Sequence, residues 1–343
     1  MTTRNTATDR SGPSPSAAST DPNIWNHYWH SDRIASCLDG AGARNYDESV
    51  SAGWRAFFAD LPARSRILDL CTGNGAVAIL AAETSLASAK AFDIVAVDQA
   101  DIDPPAFLSR HQPELAIIAF RPGTKVEELP FADHSFGVVV SQFGIEYSDL
   151  PVALIELGRV IAAGGRTRLV LHAAEGLVSA DARKVIEDAD FLLATVDLPG
   201  AARRCFVDVT AAERTANAGE AAHRQARESL DAFEAALAQT ARRIPAATDS
   251  QMLRNCGAVL LDTFKRHARL EVDQLVAKAE EVRTNILHHR GRLQALVDAA
   301  VTRAELDGIA EALRGARAEQ VTATELRSGP ALIGYVVEGS FPT

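Results

Sequence analysis

The chain has 343 residues, 47% of them hydrophobic, and a formal net charge of −10 at pH 7. This length provides enough apolar side chains for one large domain or two modest ones. The acidic balance disfavours a nucleic-acid partner, which would require a basic face, and lysine and arginine form no cluster longer than a pair or so. No apolar run approaches the roughly 18 residues of a membrane-spanning helix.

The N-terminal residues and the cysteines indicate the cellular setting. Residues 1–22 are rich in Thr, Ser, Pro and Ala without an apolar segment, which predicts a disordered tail rather than a signal peptide. Cys37, Cys71, Cys205 and Cys256 show no CxxC spacing, so the sequence suggests neither zinc nor a redox pair, and no metal site is predicted. Reduced thiols are typical of a cytoplasmic protein.

The segment 23–62 precedes the first predicted strand and is predicted to be helical. Its aromatic residues have helical spacing, which is typical of a buried core. The alternative is a lid that closes over a ligand site, because the segment leads directly into the strand that would carry that site. The side chains concerned are Trp25, Tyr28, Trp29 and His30, followed by Trp54, Phe57 and Phe58.

A glycine-rich loop follows the first predicted strand and leads into an alanine-rich helix that begins near Ala76. Gly73 and Gly75 would let the backbone approach a ligand at positions where a β-carbon would collide. The helix directs its N-terminal amides at the same place. The pattern predicts a nucleotide cradle at the carboxyl end of a first parallel strand.

Two acids bear on which nucleotide this cradle holds. Residues 73–78 fit the dinucleotide fingerprint G-x-G-x-x-A, and Asp98 ends the next apolar run, where an acid that binds ribose is expected. A purely structural turn would also require glycines. Asp69, four residues before Gly73, has no role in the dinucleotide fingerprint and could serve a ligand that carries an ammonium group.

Four segments, in order along the chain, resemble class I S-adenosylmethionine (SAM) dependent methyltransferases. Residues 68–75 resemble motif I of that family. Residues 127–131 and 135–144 resemble the segments before and along its fourth strand, and residues 157–171 resemble its helix, glycine turn and fifth strand.

The resemblance implies an α/β fold with a Rossmann-like, seven-stranded, mostly parallel sheet whose last strand is antiparallel. It covers about 66–173 and, more faintly, a hairpin near 320–339. Residues 63–176 and 319–343 would form the SAM-binding domain, and residues 177–318 a large helical insertion before the last two strands. The first five strands are predicted near 66–70, 92–97, 115–120, 136–141 and 167–172.

The resemblance also implies cofactor contacts for residues of this sequence. Asp98 would accept hydrogen bonds from both ribose hydroxyls, and Asp69 would help to hold the amino end of SAM. Gly73 and Gly75 would admit its methionine and ribose portions. The remaining predicted contacts are Cys71, Thr72, Asn74, Gln99, Val126, Glu127, Ser141 and Gln142.

Methyl transfer requires an aligned nucleophile and, for a hydroxyl acceptor, removal of a proton. His172 ends the predicted fifth strand, at the edge where such sheets bind ligands, and is the first candidate for a general base. A hydrogen-bonded structural histidine is the alternative interpretation. Glu146 and Tyr147 are the second choice, and His27 and His30 in the lid segment are the third.

The predicted insertion carries a heptad seam over 272–300, where apolar residues repeat at alternating spacings of three and four. A looser stripe over 222–244 predicts an antiparallel partner helix. A helix over 250–300 would be about 75 Å long, so it should kink, with Gly257 as a weak point, or protrude, or pack on a partner chain. A shorter partner helix would leave apolar seam exposed, which predicts a homodimer through this arm. The alternative is an arm that folds back over the substrate pocket.

The predicted function is SAM-dependent methyl transfer to a small, partly apolar acceptor, such as a secondary metabolite or a quinone-like molecule. Residues 141–144 read Ser-Gln-Phe-Gly, where methyltransferases that act on amino groups of DNA and proteins have an NPPY-like tetrapeptide. Two alternatives remain open. One is a non-catalytic SAM-binding scaffold with a helical interaction arm, and the other is an NAD-dependent oxidoreductase that uses the same glycine loop.

Overall fold

A computed structural model of the protein describes residues 22–36 and 45–343. Nearly all of the predicted disordered tail, residues 1–22, therefore lies outside the described residues, as does Cys37. The described part of the chain is organised around one sheet. Its strands are β1 (Arg66–Leu70), β2 (Asp93–Val97), β3 (Ile118–Arg121), β4 (Phe136–Gln142), β5 (Ile161–His172), β6 (Glu319–Ser328) and β7 (Ala331–Ser340).

The strands lie in the order β3-β2-β1-β4-β5-β7-β6. β7 runs antiparallel to β5 and β6, and the other neighbours are parallel. The predicted Rossmann-like fold class is confirmed. Strand order reverses between β1 and β4, which opens a crevice at the carboxyl ends of these strands, where open α/β sheets bind ligands.

The helices around the first five strands explain why β1 and β2 are buried beyond their first residue. Both strands expose only their first residue, because helices cover both faces of the sheet. The predicted helical segment 23–62 is interrupted, since residues 30–36 form no helix. The helices are α1 (Pro22–Trp29), α2 (Glu48–Ala59), α3 (Ala76–Ala87), α4 (Pro104–Phe107), α5 (Gln112–Leu115) and α6 (Leu150–Val160), with a 3-10 turn at Ile145–Tyr147.

The helical insertion lies between β5 and β6, as predicted, and has its own core. Phe206, Phe233, Leu253, Leu260 and Leu275 are buried there, apart from the two clusters that line the sheet. A π-helical turn, Phe191–Thr195, joins the first two helices of the insertion. Its helices are α7 (Leu177–Asp190), α8 (Leu198–Arg214), α9 (Glu220–Arg243), α10 (Ser250–Lys265), α11 (Val272–Ala299) and α12 (Arg303–Gly315).

The predicted long helix over 250–300 is two helices, and the break does not fall at Gly257. That glycine lies inside α10, whereas the chain leaves helical geometry between Lys265 and Val272. Glu271 caps α11 in a reciprocal pair with Gln274, which satisfies amides that an uninterrupted helix would bond internally. The capping pair Glu271 and Gln274 therefore marks where α11 begins after the break.

The predicted partner of the heptad seam was also wrong. α11 packs against α7, α8 and α10, while α9 packs mainly against α8. The seam residues Leu275, Val282 and Ile286 are buried within the chain. The exposed apolar seam from which a homodimer was inferred is thus covered internally, and dimerisation stays a prediction without that support. Among the described residues, no helix is long and apolar enough to cross a membrane.

Candidate active site

The glycine loop between β1 and α3 has the left-handed backbone that its sequence requires. Gly73 has φ 53° and Gly75 has φ 87°, a region that favours glycine. A β-carbon on Gly73 would lie 2.4 Å from the Trp29 ring, and one on Gly75 would lie 3.0 Å from the Phe120 ring. The two glycines therefore face different neighbours. Gly73 faces α1, whereas Gly75 faces the side chain of a β3 residue.

Asp98 follows β2 and is held by two backbone amides. The Gly73 N–H donates to Asp98 Oδ2 over 2.7 Å, and the Ala100 N–H donates to Oδ1 over 2.8 Å. Burial raises the pKa of this carboxyl, while the amide hydrogen bonds oppose that rise. The carboxylate is thus fixed at the glycine loop, and it lines a cavity at the carboxyl ends of the strands.

This main cavity has a volume of about 110 Å³ and gathers residues from five separate segments of the sequence. The sequence analysis did not predict the part of the wall contributed by Ala100, Thr124, Phe143, Gly144 and Ser148. Phe143 and Gly144 lie at the end of the segment 135–144, which could have indicated them, whereas the other three lie in no motif. The predicted residues that line it are Trp25, Trp29, Cys71, Asp98, Gln99, Val126, Glu127 and Tyr147.

A smaller cavity of about 20 Å³ adjoins the first, and Trp29 lines both. Cys71 is likewise shared, and Asp69, Thr72 and Gln142 line only the smaller one. Four predicted contacts, Gly73, Asn74, Gly75 and Ser141, line neither cavity. Ser141 instead donates its hydroxyl to the Leu70 carbonyl over 2.9 Å and so ties β4 to β1. Phe143 is the third residue that lines both cavities.

Asp69 is buried beneath the glycine loop. Its Oδ2 accepts a hydrogen bond from the Thr72 hydroxyl over 2.6 Å and one from the Ala78 N–H over 3.2 Å. Burial nevertheless raises the pKa of Asp69 to about 7. A cation placed beside this carboxyl would favour its charged form. A cationic ligand beside Asp69 would therefore lower the pKa of its carboxyl and be held by the resulting carboxylate.

The segment around α1 is attached to the loops that follow β1 and β2. The Asn74 amide nitrogen lies 2.9 Å from the Trp29 carbonyl, 3.2 Å from that of Ser31 and 2.7 Å from that of Arg33. His30 Nε2 lies 2.6 Å from the Asp101 carbonyl. These contacts hold α1 across the mouth of the crevice.

The two interpretations of the aromatic residues in 23–62 apply to different halves of that segment. Trp54, Phe57 and Phe58 belong to the main core beside the sheet. Trp29 packs in a separate small cluster with Ala100, Ile102 and the neighbouring aromatic residues of α1. Only the first half covers the site. Trp54 also donates its indole N–H to Gln142 Oε1, so the core half orients one predicted contact residue.

The predicted catalytic residues His172, Glu146 and Tyr147 lie together. His172 Nδ1 lies 2.8 Å from Glu146 Oε1, and the backbone N–H of His172 donates to the same oxygen over 3.0 Å. The Phe143 ring stacks on the imidazole at 4.2 Å between centroids. His172 is buried and does not line the main cavity, whereas Phe143 and Tyr147 do.

The insertion reaches this site, which the sequence did not predict in detail. α11 contacts both α1 and the turn Ile145–Tyr147. The Arg292 guanidinium lies 4.4 Å from the centre of the Tyr28 ring. His27 lies in ring contact with His288, at 5.3 Å between centroids. The third-choice base His27 thus faces the insertion.

Among the described residues, one cluster has the geometry of a metal site. Ligand atoms of Glu83, His111 and Glu114 lie within 4.8 Å of one another. These residues belong to α3 and to the region of α5, and none lines either cavity described above. Sequence reasoning could not find the cluster because its members come from segments with no metal-ligand spacing.

Comparison with known proteins identifies the central part of the chain. Residues 68–169 match a protein family described as a methyltransferase domain. This segment is a class I SAM-dependent methyltransferase domain. Its cofactor is SAM. No curated protein matches the sequence.

Solved structures of methyltransferases resemble the chain at low identity. Burkholderia thailandensis 1,6-didemethyltoxoflavin-N1-methyltransferase, solved with 1,6-didemethyltoxoflavin and S-adenosylhomocysteine (SAH), is 11% identical over 87% of this chain and 80% of its own, with a TM-score of 0.39. A chain from the Haloferax volcanii complex that contains the Trm112 methyltransferase activator is 20% identical over 36% of this chain, with a TM-score of 0.29. That alignment spans 51% of the Haloferax chain, about half its length. The identification of the domain therefore rests on the sequence match.

Proposed function

We propose that the protein transfers the methyl group of SAM to a small, partly apolar acceptor. The observation that carries the proposal is the position of Asp98, whose carboxylate is held by the Gly73 and Ala100 amides at the wall of the main cavity. A carboxylate placed there can accept hydrogen bonds from a ribose diol. SAM supplies a methyl group on a sulfonium, which an in-line nucleophile displaces.

The described residues fit this cofactor in two compartments. Asp98 and Gln99 would hold the ribose in the main cavity, and Asp69 with Thr72 would hold the amino end in the smaller one. The raised pKa of Asp69 means that a cation would draw it into its charged form. A ligand that reaches both compartments would contact Trp29, Cys71 and Phe143, the residues that line both.

Proximity and exclusion of water are the main contributions that these residues can make to the reaction. Trp25, Trp29, Phe143 and Tyr147 give the main cavity aromatic walls. Such walls hold an apolar acceptor close to the reacting carbon and keep water away from it. Tyr147 is the predicted catalytic residue whose side chain borders this space.

His172 and Glu146 are proposed as positioning residues. Their contact joins the end of β5 to the turn Ile145–Tyr147 and so holds Phe143 and Tyr147 at the cavity wall. The role of His172 as a general base stays a prediction, because the imidazole is buried and does not line the main cavity.

Calorimetry with SAM, SAH and NAD tests the proposed function. We expect both SAM and SAH to bind and NAD not to bind. Methyl transfer is then measured as SAH formed from SAM in the presence of small apolar acceptors. Binding of NAD in place of SAH would favour the oxidoreductase alternative. SAM binding without turnover on any acceptor would favour the scaffold.

The insertion is proposed to border the acceptor site. The contacts of α11 with α1 and with the turn Ile145–Tyr147 support the interpretation in which the arm folds back over its own domain. The homodimer and the cytoplasmic location stay predictions. Light scattering tests the first, since a monomer would have a mass of 36.6 kDa.

A further inference from the structure

A third cavity, of about 240 Å³, is lined by α7, α11 and Asp249 of the insertion and by Ser36 of the segment that follows α1. Six of its lining side chains are apolar, and Ser36 and four charged or titratable side chains are polar. We call it the insertion cavity. Its apolar residues are Leu177, Val178, Ala182, Val185, Leu293 and Leu296, and its charged or titratable residues are Asp181, Asp249, His289 and Arg292.

Arg292 is the unusual member of this set. Arg292 is only 9% exposed, yet its guanidinium pairs with no carboxylate among the described residues. Its contacts are the Tyr28 ring and His289 Nδ1, the latter 3.4 Å from a guanidinium nitrogen. A buried guanidinium without a counter-ion is costly unless a ligand supplies the negative charge.

The other two arginines of α11 show what Arg292 lacks. Arg283 pairs with Asp197 at 2.6 Å, and Arg290 pairs with Asp190 at 2.6 Å. Both are more exposed than Arg292, so their charges need compensation less. Among the three arginines of α11, only Arg292, which lines the insertion cavity, therefore lacks a carboxylate partner among the described residues.

The two acids of the insertion cavity are already engaged elsewhere. Asp181 pairs with Lys184 at 3.2 Å on the same helix. Asp249 accepts a hydrogen bond from the Met252 N–H over 2.9 Å and lies 3.6 Å from His289 Nε2, an ion-pair distance. The His289 ring lies between Arg292 and Asp249, so neither acid contacts the guanidinium directly. Arg292 is thus the cation of this cavity that a ligand carboxylate could reach.

The insertion cavity is next to the proposed methyl-donor site. Ser36 lines both the insertion cavity and the small cavity that contains Asp69. Tyr28, which stacks under Arg292, is in ring contact with Trp29 at 4.9 Å between centroids. A ligand anchored at Arg292 would therefore lie close to the compartments that Trp29 lines.

We propose that the insertion cavity binds the acceptor as an amphipathic carboxylate. Arg292 would pair with the carboxylate, and the apolar side chains of α7 and α11 would cover the apolar body. The identification of this ligand as the methyl acceptor rests on the proposed function. The binding of such an anion in the cavity is independent of that function. The sequence-based expectation of a partly apolar acceptor is thereby narrowed to one that carries a negative charge.

Calorimetry in the presence of saturating SAH tests the proposal, because SAH keeps the probes out of the cofactor compartments. The probes are octanoate and 2-naphthoate, each compared with its neutral amide. We expect each acid to bind at least about tenfold more tightly than its amide, the range that a charge-assisted hydrogen bond provides. Arg292→Met should abolish this preference while leaving SAH affinity within about twofold of the wild type.

Arg290→Met is the matched control, since it removes the same charge from the same helix outside the cavity. It should keep the preference for the acids. Ala182→Trp fills the cavity from α7 and should remove binding of both acids. This variant tests the same cavity independently if Arg292→Met fails to fold.

Three results would overturn the inference: equal binding of acid and amide, a preference retained in Arg292→Met, or no acid binding to a wild-type protein that binds SAH. Failure of SAH to bind in the preceding titration would instead contradict the proposed function. The two failures are therefore distinguishable.

Discussion

The sheet and the helical insertion differ in how directly sequence pattern leads to structure. In the sheet, the predicted strand at 66–70 coincides with β1, and each other predicted strand overlaps the observed one. In the insertion, the heptad seam correctly indicated a buried face on α11, but the helices that cover it are α7, α8 and α10 rather than α9. Periodicity identifies which face of an element is buried, and it does not identify what buries it.

The two regions also use charge differently. At the sheet, Asp69 and Asp98 are held by loop amides and hydroxyls close to a cavity, and burial raises the pKa of both. In the insertion, ion pairs join separate helices, as where Arg243 pairs with Asp188 at 2.6 Å. Arg292 is the exception, because it resembles the sheet acids in being buried at a cavity.

The largest expected effect tests whether the α11 seam is internal. Ile286 is 2% exposed in the core of the insertion, so Ile286→Asp should lower the free energy of unfolding by about 4 kcal/mol or more. Urea denaturation measures the change. The matched control is Leu287→Asp, whose side chain is 48% exposed. Equal effects of the two substitutions, or dissociation of a dimer without loss of stability, would show that the seam is an interface.

The next effect concerns the pH dependence of stability at the sheet. The pKa of Asp69 is about 7 in the folded protein against an ordinary 3.8, so the folded state retains a proton that the unfolded state loses. Stability should therefore fall as pH rises from 4 to 7, by about 1 kcal/mol per pH unit relative to Asp69→Asn. Thermal or urea unfolding across this range measures the slope. Parallel profiles for the two proteins would mean that Asp69 titrates normally.

A smaller effect is expected for the cofactor contact at Asp98. Asp98→Ala should weaken SAH binding by tens of fold, which corresponds to about 2 kcal/mol for a charge-assisted contact. Calorimetry on the folded variant measures the loss. Asp101→Ala removes an exposed acid from the same loop and should bind SAH as the wild type does. Unchanged affinity in Asp98→Ala would remove Asp98 from the site.

The smallest effect concerns the attachment of α1. Asn74→Ala removes the amide that bonds three carbonyls of the lid segment, so residues 26–36 should exchange amide hydrogens faster. We expect a local change of about 1 kcal/mol with little change in the global melting temperature. Hydrogen exchange followed by mass spectrometry locates it. Asn217→Ala, on an exposed turn, is the control, and equal exchange in both variants would contradict a lid held by Asn74.

The sequence allowed much of the site to be predicted because its parts are local. Gly73 and Asp98 lie where strands end, and a parallel sheet brings such ends to one edge whatever the loops do. Thr124 and Ser148, which help to complete the main cavity, carry no such signal. They are recruited by their position at the same edge and not by residue type.

The sequence by itself determined the order of the strands along the chain, the glycine loop and the buried face of α11, since these depend on residues a few positions apart. Only the tertiary structure determined that Trp29 lines two compartments, that Phe143 stacks on His172, and that Arg292 meets Tyr28 across the chain. Contacts between such distant residues depend on how helices pack and where loops close. No local periodicity encodes that packing, because many arrangements bury the same apolar faces equally well.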